Sequence, residues 1–354
     1  MKILWFNHRD LKHPLAGGAE RTIYEVSKRL VSSGYDVNLV SVNPGGLEES
    51  EILDGINVFR IKGNIRAHLA VPRMIGKVKP DVIVDDLAHV APWLSPLFTK
   101  RRVIVFFRHL HARSLRGQIG PVSSRIFGLI EKTYKLIYRN NLFVTELELG
   151  VNDLIKLGIR IENIKRIMPG IDRNLFRPCE KTPYPLLLYF GGLKDYKRPW
   201  LSLELLKTLG RSDVKLRILG NGPSLNRVRE LSEAYNLSES VEFLGRISND
   251  DLPHIICESW INLHFSVTEG FGYTLIESAS CAIPTVALDA PGVTEVIRKF
   301  GIGVVEKDVE KMSEDVREIL ENYKEWSKSA YSGSTIFSWD KTAQDWIKIF
   351  NESH

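Results

Sequence analysis

No apolar run in the 354 residues approaches the roughly 18 that a membrane-crossing helix needs. The opening stretch, MKILWFNHRDLKHP, meets charge too early for a secretory signal. Cysteine is scarce. Cys179, Cys257 and Cys281 are odd in number and far apart, which argues against a disulfide framework and against a zinc site, so a reducing, cytoplasmic setting is expected. Low-complexity segments and internal repeats are absent. Cations interleaved with exposed aromatics, as a nucleic-acid-binding module would require, are absent too, and no nucleic-acid partner is expected.

What remains is an average soluble composition, 44% hydrophobic and 26% charged, in a chain long enough for two cores. Its net charge of +5 is unevenly spread. Residues 1–178 hold 28 Lys and Arg against 17 Asp and Glu, whereas 179–354 hold 20 against 26. A basic first half suits an anionic partner: nucleic acid, an acidic membrane surface or a phosphorylated substrate. Short, β-branched, nearly continuous apolar runs (Ile3–Phe6, Val37–Val42, Val82–Val84, Val103–Phe107, Leu142–Thr145, then Leu186–Phe190, Leu216–Leu219, Val241–Leu244, Ile261–Phe265, Pro284–Leu288) alternate with amphipathic stretches. That alternation predicts parallel sheets covered by helices on both faces. The period lapses over residues 172–185, DRNLFRPCEKTPYP, which reads as a linker. The expected fold class is therefore α/β, with two Rossmann-like doubly wound domains flanking a cleft and a boundary near residue 179.

Three segments carry chemistry. The first strand runs into a loop containing Gly17 and Gly18 and then a helix, a place where backbone can approach an anion closely. This loop lacks the G-x-G-x-x-G spacing of the dinucleotide folds, and a plain glycine turn reads equally well. The second domain opens with Gly191-Gly192-Leu193-Lys194-Asp195-Tyr196-Lys197-Arg198-Pro199. It places Lys197 and Arg198 at a helix start near Pro199, where acids are the usual choice and a polyphosphate would resolve the conflict. The third segment, Glu269-Gly270-Phe271-Gly272-Tyr273-Thr274-Leu275-Ile276-Glu277, follows a strand and enters a helix. Its amides from Gly272 to Leu275 suit phosphate oxygens, and Glu277 suits a ribose diol.

This E-x7-E segment, with Gly17-Gly18-Ala19-Glu20, Pro169-Gly170-Ile171-Asp172, Leu219-Gly220-Asn221-Gly222-Pro223 and Val241-Glu242-Phe243-Leu244-Gly245, resembles the family 4 glycosyltransferases. The resemblance runs nearly end to end and implies the GT-B fold. Its domains would be 1–178 on the acceptor side and 179–336 binding a nucleotide sugar. A final helix within 337–354 would cross back to the first domain, packing Trp339, Trp346 and Phe350. The implied activity is retaining transfer of a sugar from a UDP- or GDP-sugar to a hydroxyl acceptor, lipid-linked or glycan, without a metal or other cofactor. The resemblance implies that Glu269 touches the donor sugar and that Lys197 neutralises the diphosphate. His109, with His111 behind it, would reach the sugar from the first domain. Donor-binding positions would be Gly17, Gly18, Arg198, Asn221, Arg246, Gly270, Phe271, Gly272, Tyr273, Thr274, Leu275 and Glu277. One departure stands out: Gly192 occupies the place of the family's usual diphosphate-clamping arginine, leaving Lys197, with Arg198, to carry that charge. A nucleotide-sugar 2-epimerase and a non-catalytic binding subunit share the fold and are the alternatives.

Asp85-Asp86, after the strand VIV, is read as lining the acceptor side or capping the next helix rather than binding a metal. Residues 113–139 hold six Lys or Arg against one acid, interleaved with Ile119, Ile126, Phe127, Ile130, Tyr134 and Ile137. Their apolar stripe is expected to pack on the first sheet, with peripheral contact to an anionic membrane as the minority reading.

Overall fold

The computed structural model describes residues 1–114, 121–248 and 250–352. It divides into two compact units, Met1–Gly170 with Trp339–His354, and Ile171–Ser338. The division falls ahead of the compositional boundary at 179. Ile171 and Phe176 are buried, and the stretch read as a linker packs with the second unit.

The first unit runs β1 (Lys2–Phe6), α1 (Gly18–Ser32), β2 (Asp36–Asn43), β3 (Ser50–Leu53), β4 (Ile56–Lys62), α2 (Asn64–Leu69), α3 (Val71–Val78), β5 (Val82–Leu87), β6 (Arg102–Phe107), α4 (His111–Ser114), α5 (Pro121–Ile137), β7 (Leu142–Thr145), α6 (Glu148–Lys156) and β8 (Ile164–Arg166). Its sheet has the order β3-β4-β2-β1-β5-β6-β7-β8, parallel except for the β3–β4 hairpin. That hairpin turns on Asp54 and Gly55, both at positive φ, as a two-residue primed turn demands. Strand residues such as Ile3, Leu4, Trp5 and Phe6 are buried on both faces, which is why their run is continuous rather than alternating.

The second unit runs β9 (Leu186–Phe190), α7 (Leu201–Leu209), β10 (Lys215–Leu219), α8 (Leu225–Ala234), β11 (Val241–Gly245), α9 (Leu252–Cys257), β12 (Ile261–His264), α10 (Tyr273–Ser280), β13 (Thr285–Leu288), α11 (Val293–Phe300), β14 (Gly303–Glu306), α12 (Val309–Glu321) and α13 (Tyr323–Ser334). Its sheet, β11-β10-β9-β12-β13-β14, is wholly parallel. The last helix, α14 (Trp339–Asn351), belongs to the first unit, where Trp346 packs 5.0 Å from Trp5 and beside Phe106.

Each sheet reverses its winding once. β1 leads outward to β2 on one side while β5 lies on the other, and β9 leads to β10 while β12 lies opposite. Chain leaving the carboxyl ends of such a strand pair diverges and opens a crevice, the usual ligand position in doubly wound sheets.

One expectation is overturned here. Cys179 and Cys257 are joined in a disulfide, while Cys281 is free and buried. The bridged residues are 78 positions apart, so local spacing gave no hint of the pairing.

Candidate functional site

The crevice of the second unit lies where β9 and β12 diverge. After β9, Gly191 takes φ 135°, a conformation that L side chains rarely adopt, with the Lys197 ammonium 3.7 Å from where a Cβ would sit. The turn is locked by its neighbour: a Cβ at Gly220 would lie 1.9 Å from the Gly191 carbonyl oxygen, and one at Gly222 2.4 Å from that of Leu193. The glycines of Leu219-Gly220-Asn221-Gly222 thus let two strand-end loops touch backbone to backbone. Lys197 closes a 3-10 turn, Asp195–Lys197, and Arg198 follows at φ 46°. These cations therefore precede α7 rather than forming its first turn, as the sequence suggested. Arg198 Nε donates to the Phe265 carbonyl at 2.7 Å, which ties this turn to the end of β12.

Glu269 sits in the loop after β12. Its Oε1 accepts from Ser266 Oγ at 2.8 Å, pairs with Lys197 Nζ at 3.1 Å and lies 3.6 Å from His264 Nε2. Burial opposes its charge, but Lys197, His264 and Ser266 together hold the carboxyl below its ordinary range. Burial likewise works against the Lys197 ammonium, yet Glu269 outweighs it and keeps the lysine charged. Burial brings His264 down to about 4, so it is neutral near pH 7. The structure thus joins Lys197 to Glu269 as expected from a common site, and adds His264, which sequence reasoning missed. A lone histidine closing an apolar strand carries no spacing signal.

The loop enters α10 through Gly272, at φ 82°. Its expected row of phosphate-facing amides is shortened: the Leu275 amide donates to the Gly272 carbonyl at 2.9 Å, as the helix's own first turn requires. Thr274 Oγ1 is buried without a hydrogen-bond partner among the described residues. Phe271 is buried, with Gly270 and Tyr273 partly exposed beside it. Glu277 lies a turn further along α10 and is only 7% exposed, on a helix buried from Leu275 to Ser280. Asn221 and Arg246 are exposed at the ends of β10 and β11, on the same carboxyl edge of the sheet.

The first unit shows a different chemistry at its own crevice. Gly17 begins α1, but its amide already donates to Glu20 Oε2 at 2.7 Å, so this glycine loop has a carboxylate of its own where an anion was expected. His109 follows β6, half-buried, with its ring 4.7 Å from that of His111. Both belong to a larger group that the sequence did not disclose. His8 after β1 and His68 at the end of α2 pack on Trp93, His89 after β5 packs on His8, and the His8 and His68 Nε2 atoms are 3.2 Å apart. Burial, then the neighbouring imidazoles, bring His8 down to about 2 and His111 to about 3.

Asp85 and Asp86 are fully buried, and Asp85 accepts from the amide of Ser95, which opens the short turn Ser95–Leu97, as the capping alternative expected. Asp86 pairs with Arg108, which also reaches Glu146 and the Ala19 carbonyl. Asp85 accepts from Ser95 and Tyr138, and burial brings it up to about 6.

Comparison with known proteins decides the family. The model described as glycosyl transferases group 1 matches residues 171–333, and that of glycosyltransferase family 4 matches residues 16–175. The chain is a family 4 glycosyltransferase. A component of the human phosphatidylinositol N-acetylglucosaminyltransferase is 22% identical, over 97% of this chain and 74% of that protein. The amylovoran biosynthesis glycosyltransferase AmsD of Erwinia amylovora is also 22% identical, over 95% and 96%. Among solved structures, sucrose-phosphate synthase from Thermosynechococcus elongatus superposes with a TM-score of 0.81 at 16% identity, covering 99% of this chain and 98% of that one. Anabaena HepE in complex with UDP does so at 0.77 and 18%, covering 99% of each. The fold of this glycosyltransferase is GT-B.

Proposed function

We propose that the second unit binds a UDP- or GDP-sugar at the β9–β12 crevice and that the enzyme passes the sugar to a hydroxyl acceptor with retention of configuration. The observation that carries this reading is the largely buried Lys197–Glu269–Ser266 constellation, its lysine and glutamate still 19% and 15% exposed, at the divergence of two parallel strands beside the start of α10. Lys197 has three donor hydrogens, so it can keep Glu269 and still donate to a diphosphate. In that role it stabilises the charge that grows on the leaving group, work that a cation does elsewhere. Glu269 would then contact sugar hydroxyls, Glu277 the ribose, and Thr274 Oγ1 with the α10 amides a phosphate oxygen. His109 would serve from the first unit.

Thermal-shift titration with UDP, GDP and their sugars tests donor binding. A nucleotide at a hundred times its Kd adds about 2.7 kcal/mol. The response should vanish in Lys197→Ala, and no response in the unaltered enzyme would favour a non-catalytic subunit. Turnover of a sugar nucleotide without acceptor would favour the epimerase. Proton NMR of the transferred anomeric centre tests retention, and activity that survives excess EDTA tests metal independence.

The acceptor class is suggested by α5. Its inner face, with Tyr134, Ile130 and Ile137, packs into the first unit as expected, whereas Ile126, expected on that face, is half exposed and joins Val122, Leu129 and Leu136 in a second, exposed stripe. Ile119 and the rest of 115–120 lie outside the described residues. Arg125, Lys132, Lys135 and Arg139 are exposed around this stripe, while the helix's acid, Glu131, turns inward to the amides of His111 and Ala112. An apolar ridge bordered by cations fits an anionic membrane surface and a lipid-linked acceptor. Among the described residues no helix is long and apolar enough to cross a membrane. Phosphatidylinositol in the human relative's name is consistent with a lipid-borne acceptor.

A further inference from the structure

Away from the crevice, the disulfide has a histidine neighbour. His254 lies one turn before Cys257 on α9, and a ring nitrogen of His254 and the sulfurs of Cys179 and Cys257 all lie within 4.8 Å of one another. The face is open to solvent, since the His254 side chain is 72% exposed. His254 Nε2 is 3.1 Å from Glu258 Oε1, and Glu258 is itself fixed by Arg217 at 3.1 Å through its other oxygen. A carboxylate that orients an imidazole in this way is the usual second partner of a metal-binding histidine.

The approach of the segment holding Cys179 to α9 does not depend on the sulfur bridge. Lys181 Nζ donates to the Cys257 carbonyl at 2.7 Å and to that of Cys281 at 3.2 Å. The Thr182 amide donates to the Glu258 carbonyl at 3.1 Å, and Trp260 Nε1 donates to the Thr182 carbonyl at 3.0 Å. With these bonds in place, opening the bridge leaves two thiols facing one imidazole.

We propose that Cys179, Cys257 and His254 form a site that exchanges a disulfide for a bound zinc-class ion when the cysteines are reduced. A dithiol such as dithiothreitol supplies two electrons and two protons, the S–S bond breaks to two thiols, and the reductant leaves as its own disulfide. The ion then displaces both thiol protons to water and binds two thiolates and one imidazole nitrogen, with a fourth position left to solvent. Two soft sulfurs and an imidazole nitrogen suit zinc over magnesium or calcium. The ion and the bridge are mutually exclusive ties between the same two segments, so the segment holding Cys179 stays fastened in either redox state.

The test uses the full chain, with cobalt(II) as a spectroscopic stand-in and zinc(II) as competitor. Reduced protein should take up one cobalt per chain, with a sulfur-to-metal charge-transfer band and tetrahedral visible bands that zinc abolishes. The oxidised protein should show neither. Cys179→Ser and Cys257→Ser should lose the band, Cys281→Ser should keep it, and His254→Ala should bind roughly tenfold or more weakly. Far-UV circular dichroism confirms that each variant is folded, and His254→Ala, being an exposed change, keeps the question open to test if a serine variant fails. Reduced protein that takes up no cobalt, or a band that survives in both Cys179→Ser and Cys257→Ser, would overturn the proposal.

Discussion

Glu269 shows how one carboxylate can be held ready by neighbours of different kinds. Ser266 fixes its direction, Lys197 neutralises it, and His264 stands close but uncharged. Lys197→Ala removes the counter-charge and the diphosphate donor together, and should lower kcat/KM at least tenfold, about 1.4 kcal/mol. Steady-state rates within twofold of the unaltered enzyme would defeat the assignment. Gly192 offers a change in the opposite direction. The atoms nearest to a Cβ there belong to the Lys194 side chain, at 3.6–3.8 Å, which is ordinary contact, and Gly192 is absent from the positive-φ glycines, so a side chain can start there without backbone strain. Charge-assisted hydrogen bonds contribute roughly 1.5–3 kcal/mol, so Gly192→Arg should tighten UDP or GDP binding about tenfold by calorimetry. Unchanged affinity would mean that the diphosphate does not pass this turn.

At the scale of elements, the glycine contacts and the histidines each imply a measurable consequence. Gly220→Ala drives a methyl into the Gly191 carbonyl and asks an L side chain to hold φ 135°, so it should destabilise the second unit by about 1–3 kcal/mol and weaken nucleotide binding with it. Unchanged melting in Gly220→Ala would deny the close approach. In acid, His8 (about 2) and His111 (about 3) resist protonation in the folded first unit, while the unfolded chain takes up protons near pH 6.5. Their contribution to stability is intact above that pH and falls by about 1.4 kcal/mol per histidine per pH unit below it. Asp85, raised to about 6, offsets part of this by holding its proton in the fold. Burial also lowers His13, His68 and His89 in the first unit, whereas the second unit has one depressed histidine, His264 (about 4), with Asp315 (about 6) working against it. Hydrogen exchange at pH 6.5 and 4.5 should therefore show the first unit loosening before the second, and the reverse order would refute the account. The same elements show what the sequence could disclose. Doubly buried strands such as β1 and β9 announce themselves as continuous apolar runs. The β3–β4 hairpin, with charged residues on an edge, does not. E-x7-E is legible because loop and helix start are contiguous. His8, His68, His89 and His111 meet only through the parallel sheet order, as do Lys197 and His264, and no local spacing encodes that.

For the whole molecule, the chain begins and ends in the same unit, and the other unit is inserted between. The first sheet leaves Trp5 and Phe106 to be covered by Trp346 and Phe350 of α14, which arrives only after the entire second unit. A fragment of residues 1–170 would expose that aromatic surface and should not melt cooperatively, because loss of a buried tryptophan contact alone costs about 3–5 kcal/mol, a large part of a domain's stability. Residues 171–338 hold a complete parallel sheet with its helices, the Cys179–Cys257 bridge and the Lys197–Glu269 pair, all within one contiguous stretch. That fragment should fold alone, show a single cooperative transition by circular dichroism, and be stabilised by UDP or GDP, since every donor contact proposed for the nucleotide lies inside it. Transfer to an acceptor should be absent from it. A 171–338 fragment that is folded yet indifferent to both nucleotides would place the nucleotide contacts outside the second unit, and would undo the assignment of Lys197 and Glu277 together.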